Sequence, residues 1–402
     1  MKKILSIFSI AVMLIAFSSC ENEEGHGYEI ADNIQIVSNN ISFDAKAQSG
    51  TVEVIAPGAV TVKCDAPWVT TNVDGGIINV AVTQNNSLEG RNAVLTIMSG
   101  SEKKTITVAQ RGYVFDLDLG GATDLKLNDK AFSKAYPCKS TLDLEISTSA
   151  SWLTAVYADG KLTISAEANT TGNPRKGYII YSFGPGTEEQ TISVMQCEVS
   201  DMYGDYYFAF YDGGTGALQF FSSSITTTSA LDGSEGLFLV FKISSTSTMT
   251  LPLGWDDTNK MFNINNAQYL GMYGTYYMHN IVWDESTGYI NYGVYHFQDA
   301  AVEVDDDGIV FANIEDNGTW GTYTASSMML YAFSGTPAAS TNKVGYLKRM
   351  VYPFLQKMEV AAAASTSAVS RDGKRMRQTF VNEADMVTND VNLKWEYLIL
   401  NN

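Results

Sequence analysis

Eight aromatic residues, Tyr269, Tyr273, Tyr276, Tyr277, Trp283, Tyr289, Tyr292 and Tyr295, fall within 27 positions, with Asn280, Asp284, Asn291 and Gln298 among or beside them. This is the material of a sugar site: flat rings take the C–H face of a pyranose, and amides or carboxylates at their edge take its hydroxyls. In Tyr289-Ile290-Asn291-Tyr292-Gly293-Val294-Tyr295 an extended chain puts Tyr289, Asn291, Gly293 and Tyr295 on one face and Ile290, Tyr292 and Val294 on the other. The face with Asn291 is the wetter one, so Tyr289 and Tyr295 are expected to present a platform there. Trp255, followed by Asp256 and Asp257 in an expected loop, and Trp320, just after the turn Asn317-Gly318, are the other ligand-binding candidates. The competing reading is that such rings fill a large β core.

Catalytic readings find less support. The three histidines are His26, His279 and His296, and there is no Gly-x-Ser-x-Gly elbow, His-Glu-x-x-His pair or phosphate loop. Glycoside hydrolysis needs two facing carboxylates, for which Asp256, Asp257, Asp284 and Glu285 are the candidates. Asp305-Asp306-Asp307-Gly308 lacks the spaced ligands of a calcium loop and reads as a solvated turn. Beyond Cys20 there are three cysteines, Cys64, Cys138 and Cys197, with no Cys-x-x-Cys pair to suggest zinc. Cys138 and Cys197 fall in one expected domain and could pair; otherwise all three are buried thiols. The expectation is a binding protein, not an enzyme, with no metal or cofactor.

Lys2 and Lys3 precede the apolar run 4–17, which has the length of a secretory h-region and is too short to span a bilayer. The run ends at Phe17-Ser18-Ser19-Cys20, which resembles a bacterial lipobox, with Phe17 where Leu is usual. That resemblance implies a signal peptide over 1–19, lipidation at Cys20 and anchoring in outer-membrane lipid. Glu21-Asn22-Glu23-Glu24 resembles the export signal that sends Bacteroidetes lipoproteins to the outer leaflet. Removal of 1–19 leaves 24 basic against 44 acidic residues, a net charge of −20. A surface this acidic repels phosphate, so nucleic acid is not an expected partner. Residues 20–33 are polar and Gly-containing and read as a lipidated tether.

The elements that would carry the candidate site follow a duplication. Ala66-Pro67-Trp68-Val69-Thr70 leads to Asn85, Arg91 and Ala109-Gln110-Arg111-Gly112, and Ala150-Ser151-Trp152-Leu153-Thr154 leads to Asn169, Arg175 and Met195-Gln196-Cys197. Trp to Asn is 17 residues in both copies and Asn to Arg is 6, while Trp to Gln is 42 in the first and 44 in the second. Matched intervals argue for tandem domains of one fold. Period-2 alternation and short turns mark strands at 41–43, 51–55, 60–63, 77–82, 93–97 and 104–108, and again around 115, 142–146, 162–166, 176–181 and 190–195. Many short strands at regular spacing indicate a β-sandwich. The order Trp-hydrophobic-Thr, strand, Asn, Arg, strand, hairpin, strand, Gln resembles the BACON domain, an immunoglobulin-like sandwich of Bacteroidetes surface proteins. Cys197 and residues 134–141 depart from that pattern. The resemblance implies two BACON-like domains, 34–112 and 113–198, and a link to carbohydrate, although many such domains act as spacers. Trp68 and Trp152 are expected in the sandwich cores, and Asn85, Asn169, Arg91 and Arg175 in turn and cap hydrogen bonds.

Residues 199–402 form a third, aromatic-rich region. Strands are expected at 206–211, 217–221, 237–243, 261–264, 276–283, 289–297, 309–314 and 328–333, joined by tight turns such as Asp212-Gly213-Gly214 and Asp232-Gly233. That pattern suits an antiparallel barrel or a second kind of sandwich. Tyr203-Gly204-Asp205-Tyr206-Tyr207 resembles the first strand of a lipocalin-like barrel. Residues 344–360 read as a short helix interrupted at Pro353 or as a strand, 371–377 as a basic patch, and 392–400 as a closing strand. The whole is expected to be all-β: two tandem immunoglobulin-like sandwiches, then a C-terminal β domain. Its expected function is capture of a polysaccharide or oligosaccharide at the outer membrane, beside an outer-membrane glycan transporter. The alternative is a protein-binding adhesin or a structural surface lipoprotein.

Overall fold

A computed structural model describes residues 33–184 and 187–358. Cys20, the tether, the basic patch and the expected strand at 392–400 lie outside the described residues. Apart from a 3-10 turn at Val199–Met202, the regular elements among the described residues are all β-strands. The chain divides into two compact units between Tyr113 and Val114.

The first unit is a sandwich of two four-stranded sheets. One runs in the order Gln35–Asn39, Gln48–Ile55, Ile77–Val82, Val69–Asp74; the other Ser42–Phe43, Glu102–Gln110, Arg91–Ser99, Thr61–Lys63. Alternation decides what is inside: Val52 and Val54 from one sheet, with Ile78, Val80 and Val82, meet Ala93, Leu95, Ile97 and Val108 from the other. The short strand Ser42–Phe43 runs parallel to the last strand.

The second sandwich repeats this strand for strand. Phe115–Leu117, Phe132–Ser140, Lys161–Ala166 and Leu153–Ala158 form one sheet; Leu125–Leu127, Gln190–Gln196, Arg175–Ser182 and Glu145–Thr148 form the other. Leu125–Leu127 again runs parallel to the last strand. The segment 134–141, which fits the repeat poorly in sequence, is most of the long strand Phe132–Ser140. Its Pro137 lacks an N–H, so its carbonyl serves the sheet alone, accepting from Asp118 N at 3.0 Å. Cys64, Cys138 and Cys197 are all free thiols, and Cys138 and Cys197 are buried.

The C-terminal region is one branched sheet of twelve strands. Eight of them follow a circular path: Thr248–Pro252, Glu235–Lys242, Leu218–Thr228, Gly204–Asp212, Lys343–Lys357, Ser327–Phe333, Tyr276–Trp283 and Tyr269–Tyr273. The path nearly closes, because Tyr269–Tyr273 lies beside Thr248–Pro252. Gly271 permits that approach: its φ is +137°, and a Cβ there would stand 3.2 Å from Thr248 O. The other arm runs from Lys343–Lys357 through Val310–Asp316, His296–Val304 and Met261–Asn265 to Gly254–Asp256. Strand Lys343–Lys357 forks between the two arms. Residues up to Val351 pair with Ser327–Phe333 and residues 354–356 pair with Val310–Asp316. The fork falls at Tyr352, with φ +48°, and at Pro353, which cannot donate to either partner. Residues 344–357 of the expected segment are thus strand, not an interrupted helix.

One expected strand is corrected. Residues 289–295 are loop, and the strand begins only at His296. Asn266, 1% exposed, takes the place of a ladder partner. Its Nδ2 donates to Asn291 O at 2.7 Å and Gly293 O at 2.8 Å, and its backbone N donates to Tyr295 O at 2.7 Å. Strict alternation therefore does not govern which of these residues face solvent.

Between the second sandwich and this sheet there is no linker. Gln190–Gln196 passes through Val199–Met202 straight into Gly204–Asp212. Met195 and Cys197 are counted in the same apolar core as Phe208, Phe241 and Leu330. The side of the sandwich that bears Lys126 and Tyr178 lies against the C-terminal strands. Lys126 Nζ donates to Asn259 O at 2.6 Å, Lys260 Nζ to Asn128 Oδ1 at 2.6 Å, Lys357 Nζ to Asn173 Oδ1 at 2.8 Å and Tyr178 OH to Asp306 Oδ1 at 3.0 Å.

Candidate functional site

Two loops and the start of one strand bring five aromatic rings into a continuous ledge. Tyr289 stacks on Tyr323 with centroids 4.2 Å apart and planes 8° from parallel. Tyr323 touches Trp320 at 5.5 Å, Trp320 stacks on Phe297 at 5.2 Å, and Phe297 meets Tyr295 at 5.5 Å. Trp320 and Phe297 are buried at 6% and 7%, whereas Tyr289 and Tyr295 are exposed at 48% and 58%. The buried pair forms the floor, and the tyrosines are the accessible faces.

The loops are tied down by carboxylates, and the reason is local. Asp284 has no apolar role at 1% exposure. Its Oδ1 accepts from Ser286 N at 2.8 Å, Ser286 Oγ at 2.6 Å and Thr287 N at 3.2 Å, while its Oδ2 accepts from Thr324 N at 3.2 Å. One side chain thus joins the loop bearing Tyr289 to the loop bearing Tyr323. These hydrogen bonds, led by Ser286, hold its carboxyl down at about 2. On the other side, Asp316 accepts from Ala325 N and Gly318 N at 2.9 Å each, and Thr319 Oγ1 donates to His296 O at 2.8 Å. Beyond Tyr295, His296 Nε2 lies 2.5 Å from Asp299 Oδ1, which also accepts from Asn263 Nδ2 at 2.8 Å.

Of the sequence candidates, Tyr289, Tyr295 and Trp320 fall in this cluster. Asn291 Oδ1 accepts from Gly293 N at 2.8 Å, turning its own loop, and lies near the Tyr295 ring across Gly293. Trp255 sits elsewhere, on the edge strand Gly254–Asp256 and not in a loop. Its ring packs edge-on against Phe262 at 5.2 Å and its Nε1 donates to Asp257 Oδ1 at 3.3 Å. Tyr323 and Phe297 were not among the expected ligands. The signal for Tyr323 was present in Trp320-Gly321-Thr322-Tyr323, two rings in a glycine-bearing loop.

The four carboxylates considered for hydrolysis each have local partners. Asp256 caps its turn through Thr258 N, Asn259 N and Asn259 Nδ2, and Asp257 holds Lys260 Nζ at 2.8 Å. Glu285 accepts from Ser327 Oγ and lies 3.6 Å from Arg349 Nε. Asp305 is likewise structural, accepting from Asp307 N and Ile309 N, so the triple-aspartate turn is partly shielded and is not wholly solvated. Among the described residues, no three His, Cys, Asp or Glu side chains gather as a metal site.

The duplicated residues form one structural device in both sandwiches. Arg91 lies over Trp68 at 4.4 Å and donates from Nε to Gln110 Oε1 at 2.9 Å; Arg175 lies over Trp152 at 4.3 Å and donates to Gln196 Oε1 at 2.9 Å. Both tryptophans are half-buried against their cores. Asn85 and Asn169 each staple the loop four residues on, to Glu89 O at 2.9 Å and Asn173 O at 2.8 Å.

This arrangement agrees with what the chain resembles. The family described as "BACON: Putative binding domain, N-terminal" matches residues 58–111 and 143–196. The chain carries two BACON domains, each a β-sandwich of two four-stranded sheets. No curated protein sequence matches it. Among solved structures it is similar to a Bacteroides ovatus GH5 xyloglucanase in complex with a XXXG heptasaccharide, at 23% identity, TM-score 0.19, over 21% of this chain and 18% of that one. It is also similar to an endo-fucoidan hydrolase of glycoside hydrolase family 107, at 11% identity, TM-score 0.23, over 44% and 30%. A third similarity is to the titin Ig tandem domains A164-A165, at 8% identity, TM-score 0.19, over 41% and 97%. The chain thus spans less than a third of either hydrolase.

Proposed function

We propose that this protein is a lipid-anchored outer-membrane protein that captures a polysaccharide at the cell surface, with the C-terminal domain as its reader. The observation that carries the reading is the ledge Tyr289–Tyr323–Trp320–Phe297–Tyr295, with exposed tyrosines on a buried aromatic floor. Pre-ordered rings hold a sugar face with little loss of side-chain freedom on binding. The two BACON domains and the lipobox-like Phe17-Ser18-Ser19-Cys20 are in keeping with it. An outer-membrane glycan transporter is the partner that such a capture protein would serve. Among the described residues no helix is long and apolar enough to cross a membrane, so in this reading acyl chains on Cys20 are the anchor.

The test is an affinity gel. Purified residues 21–402 are expected to be retarded by at least one of a panel of plant and host glycans, and Tyr289→Ala/Tyr295→Ala to run unretarded. No retardation across a wide panel would overturn the reading. Anchoring is checked separately, since Cys20→Ala is expected to abolish radiolabelled palmitate incorporation.

A further inference from the structure

Where the second sandwich meets the C-terminal sheet, a crevice of about 460 Å³ opens between strand Gln190–Gln196, its neighbour Arg175–Ser182 and strand His296–Val304. Its size is that of pockets that take small ligands, which favour domain junctions. Buried Leu125, Met195, Val302 and Val304 supply an apolar floor. Lys176, Tyr178, Thr191, Ser193 and Glu303 line it from both sides. Thr191 and Glu303 are exposed and Ser193 half-buried, so a ligand would exchange their water for its own hydroxyls. Lys176 Nζ lies over the Tyr178 ring at 5.1 Å and keeps N–H donors to offer a ligand. Tyr178 is itself fixed through Asp306.

The charges decide the ligand class. Lys126 and Lys176 are matched by Asp124 and Glu303 in the lining, and Asp306 on Tyr178 adds a carboxylate at the rim, so there is no positive excess to draw an anion. It offers donors and acceptors side by side next to an aromatic ring. We infer that this crevice is a second binding site, distinct from the ledge, for one to three rings of a neutral, polyhydroxylated sugar. A pair of neighbouring hydroxyls donates to Glu303 and accepts from Lys176, while Ser193 and Thr191 serve either role. The site exists only because the second BACON domain is fused to the C-terminal sheet, so that domain supplies two-thirds of the lining residues of a binding surface.

The inference is independent of the ledge, and the experiment keeps them apart. The full chain carrying Cys20→Ser is placed in a Tyr289→Ala/Tyr295→Ala background and titrated by calorimetry with cellotriose, xylotriose, mannotriose, galactobiose and chitobiose. At least one probe is expected to bind saturably. Lys176→Ala and Glu303→Ala are each expected to weaken it about tenfold, and Ser193→Trp, which fills the crevice, to abolish it. Unchanged melting temperatures identify these as local effects. Absence of saturable binding by every probe overturns the inference, as does binding indifferent to Lys176→Ala and Glu303→Ala. Tighter binding of trigalacturonate than of any neutral probe overturns the ligand class.

Discussion

Gln110 and Gln196 each hold their own sandwich together at the point where two loops converge. Gln110 Nε2 donates to Ala45 O at 3.2 Å, Lys46 O at 3.1 Å and Thr83 O at 3.0 Å while its Oε1 accepts from Arg91. Gln196 reproduces this with Asn128 O, Lys130 O, Glu167 O and Arg175. Each is almost wholly buried, and Ala45, whose carbonyl Gln110 serves, is buried with it. Gln110→Ala is therefore expected to lower stability by about 3 kcal/mol, from several hydrogen bonds of about 1 kcal/mol each, with Ala45 O left buried and unsatisfied. Urea denaturation checks this, and Gln110→Glu, which keeps the acceptor but loses the amide donors, should recover only part. At the ledge the expected split is different. Tyr289→Ala and Tyr295→Ala remove exposed rings worth about 1 kcal/mol each in stacking, so each should weaken glycan binding about fivefold with little change in stability. Trp320→Ala empties a buried position and should cost about 3–5 kcal/mol of stability. That repeated residues would be structural was readable from their spacing, because a duplicated fold needs its fasteners at the same intervals. The exposure of Tyr289 and Tyr295 was expected, though from an alternation that their loop does not obey; the burial of Trp320 was not, since it depends on Phe297, which comes from another segment.

At the scale of elements, the ledge depends on two loops that share one carboxylate. Asp284→Ala would free Ser286, Thr287 and Thr324 together, so binding is expected to fall by tenfold or more while the strand framework persists. Circular dichroism unchanged in the β region, with loss of retardation in an affinity gel, is the outcome to look for. The same group gives a pH dependence. Its carboxyl lies at about 2 in the fold, below an ordinary aspartate value of about 4 in the unfolded chain. A depressed value means that the stabilisation is complete above pH ~4 and is lost as pH falls through about 2. Melting temperatures should decline across that window in the wild type and more shallowly in Asp284→Asn. The sandwich strands were legible because alternation with turn residues is a strong signal. Residues 289–295 misled for a physical reason: they alternate, but Asn266 satisfies their backbone from a distant loop. Leu125–Leu127 went unseen because three residues carry too short a pattern. Phe132–Ser140 fitted poorly because Pro137 argues against a central strand.

Taken whole, the second BACON domain and the C-terminal sheet are one body, and their junction is rich in buried charge. Lys260 is 1% exposed and reaches Asn128 Oδ1 in the sandwich and Asp257 Oδ1 on its own side. Asp201, 2% exposed, accepts from Glu198 N at 2.9 Å within the connecting turn. Burial, opposed by the Glu198 hydrogen bond and reinforced by Asp129 of the sandwich, pushes the Asp201 carboxyl up to about 6. A raised carboxyl favours the fold when protonated: its stabilisation is fully present below pH ~4 and is lost as pH rises through about 6. Residues 114–402 should accordingly melt in one calorimetric transition, because the cores of the two modules meet at Met195 and Cys197. The transition should move to higher temperature between pH 7 and pH 5, against the trend set by exposed carboxylates. Asp201→Asn mimics the neutral form, keeps an acceptor for Glu198 N and should flatten that dependence while raising the melting temperature at pH 7. Two separate transitions for 114–402, or a pH response unaltered in Asp201→Asn, would mean that the sandwich is a spacer after all. A single transition that responds to Asp201 makes the fused pair the folding unit, and a change at the sandwich face then reaches the strands that carry the ledge.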